Sequence, residues 1–138
     1  MVDPEVFDRR LSKLEQLLKQ LRQAARTDWE TFRANDWLQA SVEHWLHLAA
    51  ECTLDVAHHL IADRGWRTPT SYRESFQILE DNGVLSTELA RQMEEWAGLR
   101  NVLVHLYLDV DRRRLHEILT EDLDQLELYA AAVSKAAE

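Results

Sequence analysis

Residues 36–65, DWLQASVEHWLHLAAECTLDVAHHLIADRG, decide the fold. Leu38, Val42, Trp45, Leu46, Ala49, Val56, Leu60 and Ile61 follow helical spacing, so they line one face of an α-helix. The run closes at Asp63-Arg64-Gly65, where glycine supplies a C-terminal stop. Thr27 with Glu30, and Asp36 with Gln39, both have capping-box spacing, so this central helix starts near one of them, with Arg33 to Asn35 as a break between. Asp36 is the favoured start.

Working outward, Phe7, Leu11, Leu14, Leu17, Leu18 and Leu21 form an apolar stripe on a first helix that begins at Pro4, a good first-turn residue. Downstream, Thr68-Pro69-Thr70 reads as a loop. Ser71 with Glu74 then opens a short helix that buries Phe76, Ile78 and Leu79 and ends at Asn82-Gly83. Ser86 or Thr87 caps the next helix, which carries Leu89, Met93, Trp96 and Leu99 and ends between Leu106 and Asp111. A last helix holds Leu115, Ile118, Leu119, Leu123, Leu126 and Tyr129. Only three glycines and two prolines punctuate the 138 residues, and no β-branched alternation competes with the helical period. The expectation is a single all-α domain over residues 1–138, an up-and-down bundle of about four to five helices.

The net charge of -9 repels nucleic acid and anionic lipid at long range, so any contact with RNA must be local. Cys52 is the single cysteine; lying among Leu48, Ala49, Val56 and Ala57, it reads as a small apolar residue and cannot form an internal disulfide. The opening Met1-Val2-Asp3-Pro4-Glu5 has no apolar leader, and the apolar runs fall short of the roughly 20 residues that cross a bilayer. A cytoplasmic protein without membrane contact is expected.

The chemistry concentrates in Arg100-Asn101-Val102-Leu103-Val104-His105-Leu106-Tyr107. On a helix, Asn101 and His105 share a face, Arg100 can bend toward it, and Tyr107 returns above Arg100 if the helix continues that far. Val102, Leu103 and Val104 are expected on the opposite, buried side. Arg112-Arg113-Arg114 follows closely, with Arg64, Arg67, Arg73 and Arg91 before it; the triplet reads as a solvated helix start. His47, Glu51, Asp55 and His59 step along the central helix at intervals used by metal ligands, with His44 and His58 nearby. The same alternation describes a solvated or interface stripe, and no second helix of ligands accompanies it, so neither metal nor cofactor is expected. Trp29, Trp37, Trp45, Trp66 and Trp96 are scattered, and core or interface burial is expected for them.

With these elements in place, the chain resembles HEPN-domain proteins of the HepT-like toxin group, the ribonuclease half of a bacterial, type VII-like toxin–antitoxin pair. The segments that carry the resemblance are Pro69-Thr70-Ser71-Tyr72-Arg73-Glu74-Ser75-Phe76, Leu79 through Gly83-Val84-Leu85, and Gly98 through Tyr107 with Asp109-Val110-Asp111 behind it. The group's Arg-polar-x-x-x-His-x-Tyr pattern is met at Arg100, Asn101, His105 and Tyr107. The resemblance implies a two-fold homodimer that brings two motifs together and metal-independent endoribonuclease activity. It also implies a cognate MNT-type nucleotidyltransferase antitoxin that attaches AMP to Tyr107. Leu106 stands where many relatives carry an acidic residue.

Cutting RNA without metal requires a proton acceptor and donor near neutral pH and a cation for the developing phosphorane charge. His105 suits the first role and Arg100 the second, with Asn101 positioning the phosphate or the imidazole. The competing expectation is a non-catalytic helical subunit that docks a nucleotidyltransferase or presents substrate to it. Such a module has no need of the Arg100, Asn101 and His105 set.

Overall fold

A computed structural model describes residues 4–105 and 111–138, with the backbone alone for residues 100–105. Among the described residues there are seven helices: α1 (Pro4–Ala24), α2 (Trp29–Arg33), α3 (Asp36–Arg64), α4 (Tyr72–Asp81), α5 (Thr87–His105), α6 (Arg112–Glu121) and α7 (Leu123–Ala137). The all-α bundle is as expected, with more helices than the sequence pattern resolves. The extra ones are α2, and the division of the last helix at Asp122 into α6 and α7.

The leucine stripe of α1 is buried from Phe7 to Leu21, and it lies along α3, with α7 closing the same side. Helix α3 also touches α2, α4, α5 and α6, so it is the axis of the bundle. Its two ends are set by single residues. Asn35 is the N-cap, its Oδ1 accepting from Leu38 N at 3.0 Å. Gly65 closes the helix in the left-handed region at φ 68°, a conformation that costs glycine little.

The break at Arg33–Asn35 therefore separates two helices, and α3 begins at Asp36 as favoured, while each capping side chain stands one residue from the capping-box residue of the pattern. Asp28, not Thr27, caps α2 by accepting from Thr31 N at 2.8 Å. Gln39 has a different role from the one its spacing implied. Its Nε2 donates to the carbonyl oxygens of Phe32 at 2.8 Å and Arg33 at 3.1 Å, satisfying the last turn of α2 from the buried flank of α3. At α4 the reading holds: Ser71 Oγ accepts from Glu74 N at 3.1 Å. Ser86 performs the same service for Leu89 N at the start of α5, at 3.1 Å.

Further polar contacts tie α3 to α7 and α4. Tyr129 of α7 is fully buried, packs edge-on against Phe76 at 5.9 Å, and donates its hydroxyl to Thr53 O at 2.7 Å. Burial holds its phenol well above the usual range. His58 Nε2 lies 3.0 Å from Ser75 Oγ and links α3 to α4. Burial lowers the His58 pKa below its ordinary value, against a smaller opposite pull from Asp55. Cys52 is buried, as its apolar setting predicts, and burial pushes its thiol up. No described helix is long and apolar enough to cross a membrane.

Tyr129→Phe keeps the ring but removes one buried hydrogen bond, so urea unfolding should show a loss of about 1–2 kcal/mol with an unchanged slope. For His58, the unfolded chain binds a proton more readily than the folded one. Its contribution is thus complete above the ordinary histidine value of about 6.5 and is lost as pH falls through the lower folded value. Urea midpoints measured between pH 7 and pH 5 should fall less steeply in His58→Gln than in the parent chain.

Candidate functional site

Helix α5 carries the motif. Leu89, Ala90, Met93, Trp96 and Ala97 anchor it in the core, and Trp96 Nε1 donates to Gln125 Oε1 of α7 at 2.9 Å. The backbones of Arg100, Asn101 and His105 continue this helix to its described end, so Asn101 and His105 stand one turn apart on regular α-helix, as their spacing requires. The side chains from Arg100 to His105 lie outside the described residues, and so does Tyr107 together with Leu106 to Val110. The expected clustering of Arg100, Asn101, His105 and Tyr107, and the buried side assigned to Val102, Leu103 and Val104, therefore rest on the sequence pattern.

The approach to the motif is described in detail. Two residues before it, Gly98 leaves room for a neighbour: a Cβ at this position would stand 3.3 Å from Arg73 Nη2. Glycine inside a helix costs roughly 0.5–1 kcal/mol relative to alanine; here it leaves the Arg73 guanidinium of α4 close to the α5 backbone, where an added Cβ would make the guanidinium give by a few tenths of an ångström. Arg73, Gly98 and Leu99 line an open cavity of about 350 Å³ together with Arg114 of α6, Glu95 and Asp122. Burial raises the Asp122 carboxyl pKa, while Arg114 pulls it the other way. Sequence reasoning counted Arg73 among the basic residues that precede the motif and quoted Arg73 and Gly98 within the segments of the resemblance, without connecting the two. A lone glycine in a helical pattern was the available signal.

The other candidates resolve into structural contacts. Along α3, His47 approaches Glu51 at 3.9 Å and Asp55 pairs with Arg10 at 3.6 Å. Among the described residues no group of three or more His, Cys, Asp or Glu side chains is arranged to hold a metal ion. Arg112-Arg113-Arg114 does open a helix, and Asp111 caps it by accepting from Arg114 N at 3.0 Å. Arg113 stacks over the Trp29 ring at 4.6 Å. Of the tryptophans, Trp96 is buried and Trp29, Trp45 and Trp66 pack against the core. Trp37, in the first turn of α3, is 87% exposed on the single chain and takes no part in the core.

An all-helical bundle with a polar motif at the end of its fifth helix defines the class, and comparison with known proteins places the chain within it. Residues 14–133 match the family model of the ribonuclease HepT-like proteins. The chain belongs to that family. It is 24% identical over 125 residues to the mRNA nuclease HepT of Shewanella oneidensis, covering 91% of this chain and 93% of that one. It is 25% identical over 134 residues to the tRNA nuclease HepT of Aphanizomenon flos-aquae, covering 96% and 90%. Among solved structures, the tri-AMPylated Shewanella oneidensis HEPN toxin in complex with an MNT antitoxin superimposes with a TM-score of 0.86 at 22% identity, over 96% of this chain and 99% of that one. The cytosolic protein YutE of Bacillus subtilis gives 0.86 at 23% identity, over 99% and 92%.

Proposed function

We propose that this chain is the toxin of a toxin–antitoxin pair, an endoribonuclease that cuts RNA without metal through Arg100, Asn101 and His105. The observation that carries the reading is the intact Arg-Asn-x-x-x-His-x-Tyr string, whose stretch from Arg100 to His105 continues regular helix at the end of α5, in a member of the HepT-like family. In the proposed step the ribose 2′-oxygen attacks the adjacent phosphorus as an imidazole takes its proton. The 5′-oxygen then leaves with a proton from a second imidazole, and a 2′,3′-cyclic phosphate remains. Arg100 neutralises the charge that develops on the non-bridging oxygens, and Asn101 orients the phosphate.

A homodimer supplies the two imidazoles, one His105 from each protomer. It also doubles Arg100, which a protein with a net charge of -9 needs in order to hold RNA locally. Two relatives of similar identity are named for mRNA and for tRNA, so family membership selects RNA as a class and neither kind within it. The partner we propose is an MNT-type nucleotidyltransferase that transfers AMP to the Tyr107 phenol. The added bulk and negative charge would occupy the place where an RNA phosphate binds, so sterics and like-charge repulsion both silence the enzyme.

Purified chain should cleave single-stranded RNA in the presence of EDTA. Arg100→Ala and His105→Ala should each lose about 10²-fold or more in rate while circular dichroism and size exclusion report a folded dimer. Full activity in His105→Ala removes the acid–base role, and a monomer that still cleaves at micromolar concentration removes the shared cleft. Absence of cleavage together with tight binding of the nucleotidyltransferase points to the docking subunit instead. Co-expression with the partner should add AMP to the Tyr107 peptide by mass spectrometry. Tyr107→Phe should arrest growth and escape neutralisation, and complete silencing of that variant would show that inhibition works by binding alone.

A further inference from the structure

We infer that Arg73 holds a second backbone phosphate of the bound RNA strand, in the cavity that α4, α5 and α6 form beside the motif; this rests on the reading that the chain cleaves RNA. Arg73 stands in the first turn of α4, and its guanidinium is seated against the α5 backbone at Gly98. Among the described residues it has neither an ion pair nor a hydrogen bond, whereas Arg22 and Arg67 each engage two carboxylates. An exposed guanidinium beside α5 and without a carboxylate partner presents its donors to whatever enters the cavity.

Size and charge define that occupant. The cavity holds about 350 Å³, at the low end of the roughly 300–1,000 Å³ of small-ligand sites, which suits one nucleotide. Arg114 adds a second cation, paired only loosely with Glu117 at 3.7 Å. Glu95 and Asp122 line the same space, so the mixed charge accepts one phosphate and disfavours a polyphosphate. Gly98 shares a face of α5 with Asn101 and His105, three and seven residues further on. A strand lying along that face of α5 passes the Arg73 guanidinium before it reaches the motif. Arg73 is thus a positioning residue that acts on strand binding and leaves bond cleavage to the motif.

The test is steady-state cleavage of a fluorescently labelled single-stranded RNA at several salt concentrations. Arg73→Gln should raise KM about tenfold with kcat within about twofold, and should flatten the dependence of log KM on log salt by about 0.7, the slope of one phosphate contact on a single strand. Arg73→Lys should recover most of the KM. Arg114→Gln, on a different helix, should shift KM in the same direction and gives an independent reading if Arg73→Gln folds poorly. Unchanged KM and salt slope in folded Arg73→Gln and Arg114→Gln overturn the inference while leaving the ribonuclease reading intact. The same result combined with weaker binding of the nucleotidyltransferase also overturns it and assigns the cavity to protein docking. If the parent chain cuts no RNA at all, the functional reading itself fails and this one falls with it.

Discussion

Helix α3 must bury most of its circumference, and the rest of the bundle is arranged around that requirement. Buried residues run from Gln39 to Ile61 and pass through Ala49, Ala50, Thr53 and Ala57, whose small side chains let neighbouring helices approach closely. Leu46, Leu54, Leu60 and Ile61 fill the wider gaps between them. A helix enclosed in this way exposes few polar groups to water, so those it keeps inside need partners. Thr53 donates to Ala50 O at 2.7 Å, and its own carbonyl receives the Tyr129 hydroxyl. No buried side-chain nitrogen or oxygen among the described residues lacks a hydrogen-bond partner, as the cost of stranding such atoms requires.

That enclosure also fixes the base of α5. Helix α5 is clamped by Met93 and Trp96 in the core and by the Trp96 to Gln125 hydrogen bond, so the turns that carry Arg100, Asn101 and His105 grow out of a fixed base. Placing functional groups on a packed helix limits the motions that would spread them apart. Arg73 reaches the same base from α4. The only side chain that α5 withholds at that contact is the one Gly98 lacks.

Charge organises the surface in a complementary way. Arg22 bridges α1 to α7 through Asp124 and Glu127 at 2.6 and 2.8 Å, and Arg67 joins the loop before α4 to Glu74 and Asp81. These exposed pairs contribute little stability each; they occupy two of the sixteen lysines and arginines of an acidic protein.

Periodicity alone was enough to show an all-helical chain, because a leucine stripe such as Phe7 to Leu21 has no other way to be buried. Gly65 and Ser71 marked true helix ends for equally local reasons, a left-handed backbone and a hydroxyl within reach of Glu74 N. The motif at Arg100, Asn101, His105 and Tyr107 was legible as a string of residue types at helical spacing. What the pattern could not contain was which side chain satisfies which group across the bundle. Gln39 looked like a capping partner within its own helix and instead closes α2; the last apolar stripe looked continuous and instead divides at Asp122. Arg73 and Gly98, far apart in sequence, became one feature only when α4 packed on α5. Local backbone preference and burial period are properties of neighbours along the chain, whereas contacts between helices depend on packing, and packing is decided in three dimensions.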